Sequence, residues 1–370
     1  MPIFDQGYQH WSGHLSGHTW RWLAITRHGV QIGKKNLLMR IYLLFAWAPA
    51  LVLAFLLCIW GLVERKSDLV GAVSGVLGFL APQVLSNPLH YRIEVWTLFY
   101  SRFLQVELYL SIILILMVGP NLISQDLRFN ALPLYFSRPL RRIDYFVGKL
   151  GIIAVFLGMV VIVPAIAAYI LGLLFSQDIS IIRDTLPILL ASIAYGLVIS
   201  ISAGMLILAL SSLSRNSRYT ALFWLGIFLV SASLSSILQE VNREQQQFAN
   251  RQFQSYPTNG DSAAIRRWQI EQQKAAAEFF NEQVRATEHD WRPLISYTAN
   301  LSRIGERLLN TRASWESMSM FLPPEQRPHF LLRNMGPQYP WYWSGGILLG
   351  LFGLSAWILN FRVRSLDRLK

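Results

Sequence analysis

The chain has 370 residues, of which 53% are hydrophobic and only 15% are charged. Soluble domains carry about 25% charged residues, so this composition indicates an integral membrane protein. The single cysteine, Cys58, excludes a disulfide framework or a thiolate metal cluster within one chain. A net charge of +12 is compatible with nucleic-acid binding, but its distribution along the chain, given below, argues against nucleic acid as a partner.

The first 39 residues are polar and aromatic, and residues 18–30 have an amphipathic pattern. Trp22, Ile25 and Val30 fall on one side of a helix, with arginines elsewhere. Tryptophan favours the headgroup level of a bilayer, so we expect an interfacial helix here.

Six apolar runs approach or exceed the about 20 helical residues that cross a bilayer. The predicted spans are residues 41–63, 103–118, 147–174, 186–210, 220–238 and 341–359. Pro49 and Pro164 lie inside spans, where membrane helices tolerate proline as a kink. Residues 69–87 are glycine-rich and only mildly apolar, which predicts a surface or re-entrant segment rather than a span.

The fold class that this pattern predicts is an all-α polytopic membrane protein with six transmembrane helices. Its parts are an N-terminal segment (1–39), spans one to five (40–238), a helical insert (239–340) and a sixth span with a basic tail (341–370). Within the insert, residues 238–253 are expected to prolong the fifth span, and Asp261 is expected to cap a helix. Residues 293–309 are predicted to form another helix, with Pro293 at its start, where a missing amide proton costs little. We expect the insert to be a helical cap with a small core of its own.

The connection between the second and third spans, residues 119–150, is dense in arginine. Four arginines and Lys149 face only two acids, Asp126 and Asp144. Apolar residues recur every three to four positions between Ile123 and Phe136, which predicts one short amphipathic helix. The residues of its apolar face are Ile123, Leu127, Ala131 and Leu134. Pro133 is expected to kink this helix, and Ser137-Arg138-Pro139 to end it, because proline disfavours the helical conformation of the preceding residue.

The residue order in this connection resembles the first cytoplasmic loop of ABC-2 type transporter permeases. The positions that carry the resemblance are Asp126, Asn130, Leu132, Ser137 to Pro139, Arg141, Arg142 and Tyr145 to Leu150. The family usually has Glu in place of Asp126, Gly in place of Asn130 and an acid in place of Pro133. The spacing from the acid to the Gly-Lys pair is kept.

The resemblance implies that the loop carries a coupling helix, which docks in a cleft of a separate ATP-binding subunit. The candidate coupling residues are Asp126, Leu127, Arg128, Ala131, Leu134, Arg138 and Arg141. It also implies a second permease subunit, identical or related, and an N-terminal elbow helix before the first span. A large outer loop before the last span is similar to the organisation of that family.

The distribution of charge predicts which face of the membrane each segment occupies. The segments on the same face as both termini hold sixteen Lys and Arg and four acids, so that face carries the whole net charge of +12. Cytoplasmic loops carry the excess of Lys and Arg. Both termini and residues 119–150 are therefore predicted to be cytoplasmic, and the insert extracytoplasmic, in the cytoplasmic (inner) membrane.

Motifs for bond chemistry are missing from the sequence. It contains no G-x-x-x-x-G-K-[ST] phosphate-binding loop, no H-E-x-x-H and no G-x-S-x-G. We therefore expect no catalytic, cofactor-binding or metal site in this chain, and we expect ATP and Mg on a partner subunit.

Three residues are candidates for a substrate path. Glu107 is expected near the outer end of the second span, either as a proton or substrate contact or as an interfacial residue beside Arg102. Ser200 and Ser231 offer hydroxyl groups, although small residues serve equally for close helix packing in lipid.

Two functions of different classes remain open. The first is the permease subunit of an ABC exporter, which couples ATP hydrolysis by a separate subunit to the export of an unidentified substrate. The alternative is a membrane-anchored scaffold, or an ABC-type mechanotransmitter, whose insert acts on an extracytoplasmic partner.

Overall fold

The computed structural model describes residues 20–65, 87–136, 140–176, 178–251, 289–323, 327–336 and 338–366. Within these ranges the chain is helical, with no strand. The α-helices are α1 (Arg21–Lys35), α2 (Leu37–Phe45), α3 (Ala48–Glu64), α4 (Arg92–Val118), α5 (Asn121–Arg128), α6 (Leu132–Phe136), α7 (Arg142–Leu157), α8 (Val163–Phe175), α9 (Ser180–Leu213), α10 (Ser217–Arg251), α11 (Tyr297–Leu309), α12 (Thr311–Ser319), α13 (Arg327–Asn334) and α14 (Trp341–Leu366). The glycine-rich segment 69–86 and the helix predicted from Asp261 lie outside the described residues.

Six helical stretches are long and apolar enough to cross a membrane, which confirms the predicted number of spans. Spans one to six are Leu37–Glu64, Arg92–Arg128, Arg142–Phe175, Ser180–Leu213, Ser217–Asn242 and Trp341–Arg362, and the second stretch ends in α5, which belongs to the loop that follows span two. Span three contains a π-helical turn, Gly158–Ile162, immediately before Pro164. Helix α10 continues beyond span five to Arg251, in agreement with the predicted extension of that span.

The helices of spans two and four begin earlier than the predicted spans. Span two begins at Arg92 rather than near residue 103, and span four begins at Ser180 rather than near residue 186. The extra turns contain charged residues, which hydropathy counts against a span. Two of these charges, Arg92 and Asp184, neutralise each other inside the fold.

A buried ionic cluster at Arg92 provides that neutralisation. The Arg92 side chain is 2% exposed and binds Glu64 with both arms of its fork, Nε to Oε1 at 2.9 Å and Nη2 to Oε2 at 3.1 Å. Its Nη1 donates to Ser180 Oγ at 3.1 Å and lies 3.3 Å from Asp184 Oδ2. The cluster therefore ties the end of span one to the starts of spans two and four.

Because consecutive spans run in opposite directions, the bundle has two ends, each with its own set of connections. The loop end carries α5 and α6, and the insert end carries the Arg92 cluster and helices α11–α13. Span four has 34 residues, about 51 Å of helix, whereas the hydrocarbon core of a bilayer is about 30 Å thick. Span six packs along span four, and its Arg362 donates to Leu213 O at the loop end. The surplus length of span four therefore projects at the insert end.

Span four is the central helix of the bundle. It packs against α4, α5, α7, α10, α11 and α14, and 61% of its apolar window is buried inside the chain, against 11% for span five. A helix with so little of its apolar surface buried within the chain must place the rest against lipid or another subunit.

The described part of the insert packs into the bundle. A 3-10 turn, Arg292–Ile295, precedes α11, which begins at Tyr297 because Ser296 Oγ accepts the Ala299 N–H at 3.3 Å. The side chains of Tyr297, Leu301 and Leu309 belong to the same buried cluster as the spans. In the described residues, the small separate core expected for the insert is replaced by this shared core.

Candidate functional site: the loop between spans two and three

The loop contains two helices rather than the single helix predicted from Ile123 to Phe136. Helix α5 ends at Arg128, and α6 begins at Leu132. Between them Asn130 adopts a left-handed conformation, with φ of 50°. Glycine adopts this conformation without steric cost, and asparagine is one of the few other residues that tolerate it. The backbone geometry thus explains why Asn130 stands where the resembling loops usually have glycine.

Pro133 does not kink a helix, contrary to expectation. It is the second residue of α6, in the first turn, where no intrahelical partner exists for an amide proton. The break in the loop therefore comes from Asn130, and Pro133 is placed where it is compatible with the start of a new helix.

Asp126 is the centre of a polar cluster that holds the loop against span three. Its Oδ2 accepts the Lys149 ammonium at 2.7 Å and the Tyr145 hydroxyl at 2.7 Å. The Lys149 Nζ also lies 5.4 Å from the ring centroid of Tyr145 and 5.8 Å from that of Tyr135. Burial and the Asp126 carboxylate raise the pKa of the Tyr135 phenol above its ordinary value, so this ring remains neutral beside Lys149. We call Asp126, Tyr135, Tyr145 and Lys149 the Asp126 cluster.

Helix α5 is also anchored to span four. Ser211 Oγ accepts the backbone N–H groups of Ile123 at 3.1 Å and Ser124 at 3.0 Å, and donates to Pro120 O at 2.9 Å. The N–H groups of Ile123 and Ser124 lie in the first turn of α5, where the helix itself provides no acceptor. A Cβ on Gly119 would come within 2.4 Å of Ile207 in span four, so glycine is needed for this close approach.

Helix α1 packs against the other side of span three. The Thr26 hydroxyl donates to Gly148 O at 3.0 Å, next to Lys149. A Cβ on Gly148 would lie 2.8 Å from Ile25 Cβ, so the two helices pack at glycine distance. The amphipathic helix predicted near the N-terminus is therefore present, and its buried residues, Thr26 and Val30, lie on the side that packs against the chain.

The predicted coupling residues divide into inward-facing and outward-facing groups. Ile123 is fully buried, and Leu127 is half-buried against the chain's own spans. Leu134 is 72% exposed. Arg128 and Arg141 are exposed, and Ala131 is half-buried. Arg138 lies outside the described residues.

The sequence pattern missed one exposed aromatic residue on this surface. Phe129 is 72% exposed, with the Arg128 guanidinium 5.5 Å from its ring centroid. Because the sequence pattern was interpreted as one continuous helix, Phe129 was not assigned to its apolar face. Its position directly before Asn130, a residue type that tolerates the left-handed conformation, is the sequence signal that could have identified it.

The three substrate-path candidates lie in different surroundings. Glu107 is fully buried near the middle of α4, not near its outer end, and neither carboxylate oxygen has a hydrogen-bond partner among the described residues. Ser200 Oγ donates to Gly196 O within its own helix at 2.8 Å. Ser231 Oγ accepts the Tyr297 N–H at 3.4 Å. No hydrogen bond joins these three residues to one another in the described part of the chain.

Comparison with known proteins identifies the family. The sequence model of a family described as "ABC-2 family transporter protein" matches residues 31–304. This range contains the first five spans, the loop with the Asp126 cluster and most of α11. No curated protein matches the sequence. With six membrane-capable helices and a family match over well more than half of its length, the chain belongs to the ABC-2 family of transporter proteins.

Proposed function

We propose that this chain is the permease subunit of an ABC exporter in the cytoplasmic membrane. A separate subunit binds ATP and Mg and hydrolyses ATP, and a second permease chain, identical or related, completes the translocation path for an unidentified substrate. Family membership and the lack of a phosphate-binding loop in the sequence support this division of labour. The concentration of net positive charge on one face supports cytoplasmic termini and a cytoplasmic loop end.

The geometry of the loop is the observation that carries the proposal. Its outward side presents Arg128, Phe129 and Leu134. Its inward side is bonded to span four through Ser211 and to span three through Lys149. A partner that pushes on the outward side therefore moves two spans through short polar contacts. Such an arrangement transmits force and needs no bond chemistry in this chain.

The substitution Phe129→Asp tests this coupling surface. The isolated chain should tolerate it, because Phe129 is 72% exposed. In a docked complex the new carboxylate would be buried without a partner, which is costly. Loss of an interface hot spot costs about 2 kcal/mol or more, roughly thirtyfold in affinity. We expect wild-type membrane levels, loss of the ATP-binding subunit during purification, and loss of transport.

A matched control is available at the other end of the bundle. Ile179 is 85% exposed at the insert end, so Ile179→Asp should retain the ATP-binding subunit at the wild-type ratio. Leu127→Asp is a poorer test, because Leu127 packs against the chain's own spans. Co-purification of the Phe129→Asp variant at the wild-type ratio would overturn the coupling assignment. A wild-type chain that purifies with no ATP-binding subunit would favour the scaffold function.

A further inference from the structure

A cavity of about 240 Å³ lies between the bundle and the insert. Its walls come from span two, span four and helices α11 to α13. Tyr195, on the span-four wall, is about 27 Å along the helix from its loop end at Leu213. A bilayer core is about 30 Å thick, so the cavity lies close to the membrane surface at the insert end.

The cavity contains an arginine without a carboxylate partner. Among the described residues, no carboxylate lies within 4 Å of the Arg102 guanidinium, which is 5.4 Å from the ring centroid of Trp315 and donates to Gln105 Oε1 at 3.2 Å. The other lining arginine, Arg312, is paired with Glu316 at 2.8 Å. Arg102 is an exposed residue, and its unpaired guanidinium offers donors to an anionic group in the cavity.

Two further polar groups in the walls have unused hydrogen-bonding capacity. Tyr195 is 2% exposed, and its hydroxyl makes no hydrogen bond with any described residue. Glu306 Oε2 accepts Arg303 Nη1 at 3.1 Å, whereas Oε1 accepts no hydrogen bond in the described part of the chain. Burial raises the pKa of Glu306 and Arg303 opposes the shift, so a ligand cation beside Oε1 would stabilise the charged form.

Two glycines keep these groups in place. A Cβ on Gly305 would lie 2.9 Å from Tyr195 Cε2, and a Cβ on Gly336 would lie 2.8 Å from Glu306 Oε1. Both are contacts that ordinary side chains do not make. The Tyr195 ring therefore needs glycine at position 305, whereas at position 336 the flexible Glu306 carboxylate could move aside.

We propose that this cavity binds a small polar molecule with an anionic group for Arg102 and an ammonium or hydroxyl donor for Glu306 and Tyr195. A phosphoethanolamine group has this chemistry, and it reaches the site either as a free solute or as the headgroup of a phospholipid in the adjacent leaflet. The site goes beyond the proposed export function, because binding requires neither ATP nor an ATP-binding subunit.

Calorimetric titration of the full-length protein in phosphatidylcholine nanodiscs tests this site. The probe is glycerophosphoethanolamine, and the matched probe is glycerophosphocholine, whose quaternary nitrogen has no proton to donate. We expect saturable binding of the first and weaker binding of the second. Arg102→Gln should weaken binding about tenfold or more, because a hydrogen bond between charged groups is lost.

Two further variants separate a binding defect from a folding defect. Tyr195→Phe removes a single oxygen and should also weaken binding of the probe. Arg307→Gln is the matched control, since Arg307 is exposed on α11 and does not line the cavity. Equal binding by wild-type protein and the Arg102→Gln variant would overturn the proposal, as would the lack of any saturable binding together with no retained phosphatidylethanolamine in native mass spectrometry.

Nanodiscs that contain phosphatidylethanolamine distinguish the two sources of the ligand. If the lipid headgroup occupies the cavity, free glycerophosphoethanolamine should no longer bind to the wild-type protein. If the solute is the ligand, its binding should be unchanged. Both results support the site and assign its occupant.

Discussion

Two buried ionic clusters hold opposite ends of the bundle, and they are built differently. At the insert end, Arg92 bonds Glu64 with two arms of its fork and reaches Ser180 and Asp184 with the third. At the loop end, Lys149 makes one short contact with Asp126, which is 15% exposed. The arginine joins three segments of the chain, whereas the lysine joins the loop to one helix.

The difference shows where the bundle is held firmly and where it is free to change. A guanidinium fixes several partners in one plane, while an ammonium is a point charge on a flexible stem. Releasing the insert-end cluster would separate Arg92 and Glu64, which are 2% and 4% exposed, whereas the charges released at the loop end, Lys149 and Asp126, are 9% and 15% exposed. We therefore expect the insert end to remain fixed while the loop end responds to a partner.

The largest effect is expected for Arg92→Met. The variant keeps most of the side-chain volume but leaves Glu64, 4% exposed, as a buried charge whose remaining donors are neutral. Removing one partner of a buried pair costs about 3–5 kcal/mol. We expect a large fall in the midpoint of thermal unfolding of the purified protein.

A second variant at this position tests the role of the fork. Arg92→Lys retains the charge but not the planar set of donors, so its midpoint should fall between those of the wild type and Arg92→Met. If Lys restores the wild-type midpoint, the contrast between the two clusters is wrong.

A smaller effect on stability is expected for Lys149→Met at the loop end. Asp126 would keep the Tyr145 hydroxyl as a donor at 2.7 Å and its partial access to water. Loss of the Lys149 contact should then cost about 1–3 kcal/mol. We also expect ATP hydrolysis by the complex to continue with reduced transport, because α5 would lose its charged contact with span three and keep only the hydrogen bond from Tyr145. Retained transport at the wild-type rate would contradict this.

The sequence predicted the six spans because each contains a long apolar run, which tertiary contacts do not change. It placed the start of span two too late because Arg92 and Glu94 count against a span when their partners are unknown. Glu64 lies 28 residues earlier in the chain, and no local pattern shows that pairing. Expectations based on charge were therefore weakest where charges pair inside the fold.

The loop shows the same limit at closer range. Resemblance identified Asp126 and Lys149 as members of one motif, but it did not show that they touch. The single-helix pattern put Leu127 and Leu134 on one face for the partner, whereas Leu127 packs against the chain's own spans and Leu134, beyond the break at Asn130, is 72% exposed. The left-handed Asn130 separates α5 from α6, and contacts with spans three and four, distant in sequence, decide which side of α5 is buried.

The smallest effect is expected for Glu316→Gln on α12, which gives a reference for ion pairs in water. Glu316 accepts Arg312 Nε at 2.8 Å, and both side chains are 47% exposed. Exposed pairs four residues apart on a helix contribute about 0.3–0.5 kcal/mol and are screened by salt. We expect a midpoint within about 2 °C of the wild type at moderate salt, since domains of 150–250 residues change by about 2–4 °C per kcal/mol and larger ones by less. The distances in this pair and in the Arg92 cluster are similar, so the difference in effect would come from burial and the number of partners. A loss as large as that of Lys149→Met would mean that distance alone sets the strength of these pairs, and the comparison of the two ends would fail.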